Sequence, residues 1–182
     1  MAGRRDDAAV PTGELLTRWT VRLALGLYAV TVAVRLTTPR RRRTARALWT
    51  AGCVLFLAHV AAAFHFFHGW SHAHAYGETA RQTRELFGID WGGGLYFNYL
   101  FTLIWAADVA YWWLAGLDAY DRRRRWIGAA LHAFFAFMAI NGAVVFATGL
   151  TRWVALAAAV ALALLAFFRL RRVRERRSRG IG

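Results

Sequence analysis

The chain has 182 residues, 58% hydrophobic and 15% aromatic, yet it carries a formal net charge of +14. Soluble domains are roughly 45–50% apolar, so this apolar excess beside a one-sign charge requires the two populations to be segregated along the chain, which excludes a disordered polycation. A lone cysteine, Cys53, excludes an internal disulfide framework.

All 24 basic residues are arginine, and most stand in short runs between long uncharged stretches. Crossing ~30 Å of hydrocarbon takes roughly 17–25 helical residues. Five stretches qualify: about Trp19 to Leu36, Ala47 to Phe67, Gly94 to Leu114, Trp126 to Thr148 and Leu150 to Phe168. None alternates with period two, so the expected fold is all-α: a single domain over 1–182, a polytopic membrane bundle of about five transmembrane helices.

Residues 1–17 are expected to form a short outer segment. In the first span Arg22 and Arg35 lie close enough to the ends to snorkel. The loop after it carries Arg40 to Arg43 and Arg46.

The second span ends in Phe64-His65-Phe66-Phe67-His68-Gly69-Trp70-Ser71-His72-Ala73-His74, with His59 before it. If the helix continues through Ser71, then His65, His68 and His72 share one face at i, i+3 and i+7. Three imidazoles on one stripe, with His74 or Glu78 as a fourth ligand, suit Zn, Cu or Fe. Gly69 opposes this as a helix stop. Haem b between His59 and His132 is disfavoured, because at 1.5 Å per residue the two differ in depth by roughly 9 Å.

The outer loop, 68–93, is longer than topology requires, as functional loops often are. Within it, Ala75 to Gly88 reads as a short amphipathic helix, with Glu78, Arg81 and Glu85 paired at i+3 and i+4 and Gly88 as its stop. Gly92-Gly93-Gly94 lacks the GK[ST] ending of a phosphate loop.

In the third span Asp108 is an ionisable residue at membrane depth, and burying it unpaired is expensive. His132 in the fourth span lies at a similar depth. The two are expected to form a buried hydrogen-bonded pair, with Arg35 as a competing partner. Nearer the other end, His59, Asn98, Tyr99 and Asn141 are expected to line a cavity open to the outer face.

The loop Ala115 to Arg125 and the tail 169–182 add further arginine runs. With five spans, all three basic segments fall on one side, and the positive-inside rule makes it cytoplasmic, with the N-terminus outside a bacterial-type inner membrane. Trp19, Trp70, Trp91 and Trp153 fall near the outer interface and Trp49, Trp112, Trp113 and Trp126 near the inner one, as an aromatic belt would, with Trp105 the exception.

Each arginine run abuts an apolar end, so its expected partner is the anionic headgroups of the cytoplasmic leaflet and not nucleic acid. The functional expectation is an outer histidine-rich site that binds a metal ion or small molecule or relays protons. The alternative is a non-catalytic accessory or assembly subunit, paired with another membrane protein or a second copy. No motif marks an enzyme.

Overall fold

The computed structural model describes residues 3–142 and 150–179, and among these there is no strand. The helices are α1 (Gly3–Thr37), α2 (Arg42–Ala63), which runs on through a π-helical turn (Phe64–His68), α3 (His72–Phe87), α4 (Gly94–Leu114), α5 (Gly116–Arg122), α6 (Arg125–Ile140) and α7 (Leu150–Arg179). All five stretches read as spans lie on helices, the fourth only as far as the described residues reach.

Among the described residues, three helices are long and apolar enough to cross a membrane: Thr12–Thr37, Arg42–His68 and Arg152–Arg169. The first begins well before Trp19. Residues 3–17, expected as an outer segment, continue α1 as helix, supported by the Glu14–Arg18 ion pair at i,i+4 and by Gly13 lying against the Phe66 ring. α4 has the length, 21 residues, but six tyrosines and tryptophans together with Asn98 and Asp108 make it less apolar. α6 is apolar but described over only 16 residues.

α1 and α2 form the most extensive helix pair, α4 and α6 pack beside it, and α7 leans on α1. The core is aromatic. Trp49 stacks on Phe135 at 5.1 Å between ring centroids, Trp105 meets Trp49 at 5.2 Å, and Phe101 meets Phe135 at 4.4 Å. Such tilted and offset pairs add about 0.5–1.5 kcal/mol each beyond burial. Trp105 is 0% exposed and its indole N–H donates to the Trp49 carbonyl at 3.2 Å, which explains why it stood outside the belt pattern. Trp49 and Trp112, read as belt residues, are also buried, whereas Trp19, Trp70, Trp91, Trp113, Trp126 and Trp153 are exposed. Gly52 admits this packing: a Cβ there would stand 2.9 Å from Trp105 Cζ2.

The chain thus has two ends. The start of α1, the end of α2, α3 and the start of α4 share one, the histidine end. The end of α1, the start of α2, the end of α4, α5, the start of α6 and Arg169 share the other, the arginine end.

Candidate functional site

At the histidine end the i, i+3, i+7 stripe does not form. Gly69 adopts a left-handed φ of 53°, Trp70 follows at 60°, and Ser71 caps a new helix by accepting from the His74 N–H at 3.2 Å. His72 therefore belongs to α3 and not to α2. Its Nδ1 lies 3.0 Å from the Tyr99 hydroxyl, within a cluster that includes Tyr76 and Tyr96. His68 meets His74 edge to face at 5.7 Å, while His65 stays exposed against Phe66.

α3 itself forms as expected, with Arg81 bonded to both Glu78 and Glu85. Arg81 holds the Glu78 carboxyl below its usual range, so Glu78 is committed to an ion pair. Among the described residues, no three His, Cys, Asp or Glu side chains converge as a metal-ligand set.

The other expected cavity-lining residues do not converge either. His59 Nδ1 lies 2.9 Å from the Thr17 carbonyl, tying α2 to α1. Asn98 is exposed, and Asn141 donates to the Phe137 carbonyl of its own helix at 2.9 Å. Only Tyr99 meets one of the histidines of the cluster.

At the arginine end the expected Asp108–His132 pair is replaced by another. The Asp108 carboxylate accepts from Arg123 Nη1 at 2.5 Å and from the Tyr120 hydroxyl at 2.7 Å. Both side chains of the ion pair are buried, at 6% and 11% exposure. The cause is α5, which folds Tyr120 and Arg123 back onto α4 after a left-handed Gly116 with φ 81°. Burial first, and then the neighbouring Asp108 carboxylate, push the Tyr120 phenol upward, so it stays a neutral donor. Arg35 takes Asp121 at 3.1 Å, and its guanidinium lies 5.0 Å from the Trp112 ring centroid and 5.3 Å from that of Tyr120. Those faces favour a cation and fix its direction.

His132, freed of Asp108, packs its ring against Tyr28 and Trp49, and its buried Nδ1 has no hydrogen-bond partner among the described residues. It lines a cavity of about 470 Å³ whose walls include seven arginines. Arg35 comes from α1, Arg41 and Arg42 from the entry to α2, and Arg169 from α7; Arg123, Arg124 and Arg125 come from the α5–α6 junction. Asp121 is the one carboxylate in the lining. Arg42 bonds Asp118 at 2.5 Å and Asp121 at 3.3 Å, and Arg169 Nη1 donates to the Arg35 and Leu36 carbonyls at 2.5 and 2.8 Å. That bond closes the open carbonyls at the end of α1 and anchors α7 to the cavity.

Such an arrangement gathers several planar, permanently charged donors around one space, and such donors suit an oxyanion. In the sequence the arginine runs mark topology and a headgroup-facing surface, and nothing in them announces a cavity. The overlooked signal was Asp118 and Asp121 within the run Leu117 to Arg125, the acidic residues that draw this loop back onto Arg35 and Arg42. The chain matches no protein-family model, no curated protein and no solved structure in the comparisons made.

Proposed function

We propose that this chain is a five-span protein of a bacterial-type inner membrane, N-terminus outside and arginine end cytoplasmic, that binds an anionic ligand in its arginine-lined cavity. One observation carries the reading: seven arginines and a histidine with an unpartnered Nδ1 surround about 470 Å³. Pockets of that size hold small molecules or headgroups. Three of the seven arginines are matched by Asp108, Asp118 and Asp121, and four have no carboxylate partner among the described residues. The topology is supported by the positive-inside rule, and in this reading α4 and α6 supply the remaining two spans.

The test is anion-dependent stability of the detergent-purified protein. At 100 times its dissociation constant a ligand specific for the folded state adds about 2.7 kcal/mol. Sulfate or phosphate should raise the unfolding midpoint above that in chloride of equal ionic strength, and Arg35→Gln should remove most of the rise. Equal midpoints in all three salts would overturn the reading.

A second reading has its own support, the His72–Tyr99 contact: a proton-relaying or small-molecule site at the histidine end. His72→Gln with Tyr99→Phe leaves the anion response intact under the first reading and abolishes function under the second.

A further inference from the structure

The position of the cavity narrows its ligand. Of the three described helices that are longest and most apolar by the measure of a membrane span, the first ends at Thr37, the second begins at Arg42 and the third ends at Arg169. Arg42 and Arg169 themselves line the cavity, and so do Arg35 and Leu36 at the end of the first helix. A cavity placed where three spans meet water lies at headgroup depth, and basic pockets between spans at that depth suit lipid phosphates.

The charge balance points the same way. A carboxylate would answer one of the four arginines that lack an acidic partner, whereas a phosphate offers up to two charges and several acceptor oxygens to guanidinium forks. The geometry also shows how the arginines are held meanwhile. Asp121 accepts from Arg35 at Oδ1 and from Arg42 at Oδ2, much as a phosphate would span them. It sits on α5, a seven-residue helix flanked by Gly116 at φ 81° and by the extended Arg123, whose ψ is 153°.

We propose that the cavity takes the phosphate group of an anionic membrane lipid and that Asp121 is an internal competitor for it, bridging the same two arginines. This rests on the anion-binding reading above and adds the ligand's chemistry and the residue that opposes it. Neutralising Asp121 should therefore strengthen binding, which a residue with a merely structural role would not do.

The full chain in mild detergent is titrated with phosphatidic acid, with phosphatidylcholine and with inorganic phosphate, and bound lipid is counted by native mass spectrometry. Wild type should retain phosphatidic acid in preference to phosphatidylcholine, and Asp121→Asn should retain it about tenfold more tightly. Asp118→Asn, which relieves Arg42 alone and lies at a far more exposed position, should give a smaller gain and serves if the first variant does not fold. Inorganic phosphate binding without phosphatidic acid binding would overturn the lipid assignment while the anion reading stands. Binding of neither would remove both. Folded Asp121 and Asp118 variants that bind no more tightly than wild type would eliminate the competitor role, and equal retention of phosphatidylcholine, whose phosphate charge is balanced by choline, would overturn the assignment to an anionic lipid.

Discussion

Asp108 is the residue whose surroundings differ most between the chain as a string and the chain as a fold. Its carboxylate holds Arg123 and Tyr120 in the interior, so removing its charge leaves a buried guanidinium uncompensated. Asp108→Asn should destabilise the protein by about 3–5 kcal/mol, and Tyr120→Phe, which removes a single hydrogen bond, by about 1 kcal/mol. Thermal unfolding in detergent compares them, and an Asn variant no worse than the Phe variant would show that the ion pair does not hold α5. Asp118 supplies a pH test. Its hydrogen bond to Arg42 lowers its folded pKa, so its contribution is complete above the ordinary carboxylate pKa and is lost as pH falls through the lowered folded value. Carboxyl-carbon NMR should find it titrating below the usual range, and Arg42→Gln should return it there. That Asp108 needs a partner was legible from its place in an apolar run. Which partner was not, because Arg123 is 15 residues away in sequence and arrives only through the fold of α5.

The helices divide by length into those the sequence announces and those it hides. α2, α4 and α7 carry long uncharged runs, and α3 carries ion pairs at helical spacing before a glycine stop, so all four were readable. α5 spans seven residues, too few to display a period, and reads as a charged loop. The break between α2 and α3 belongs to the same scale. Gly69 at φ 53° and the Ser71 cap split one apparent helix into two and take His72 off the stripe of His65 and His68. Ser71→Ala should cost about 1 kcal/mol through the lost cap. The core offers a sharper test: Gly52→Ala places a methyl 2.9 Å from Trp105 and should cost about 1–3 kcal/mol by overpacking. An unchanged unfolding midpoint would mean that α2 and Trp105 are not in this contact.

At the scale of the whole molecule the prediction is topological. Glu78→Cys should be labelled by an impermeant maleimide from outside and Arg124→Cys only from the cytoplasm, against a low background because the native Cys53 is 4% exposed. Labelling of position 78 only from the cytoplasm would invert the arrangement. Composition and hydrophobic run length alone determined that the chain is helical and suited to a membrane, since both follow from local free energies of transfer and backbone satisfaction. The gathering of the arginines at one end was likewise legible, because the basic runs recur after alternate apolar stretches, and helices that run up and down in turn bring alternate connections together. Only the tertiary structure decided that those arginines close around a cavity, that His132 lines it without Asp108, and that the described histidines of the other end form no three-ligand set. Hydropathy reports how far each residue sits along the membrane normal; which side chains meet at a given depth depends on helix rotation and on short turns such as Gly69 and Gly116, to which an apolar run is indifferent.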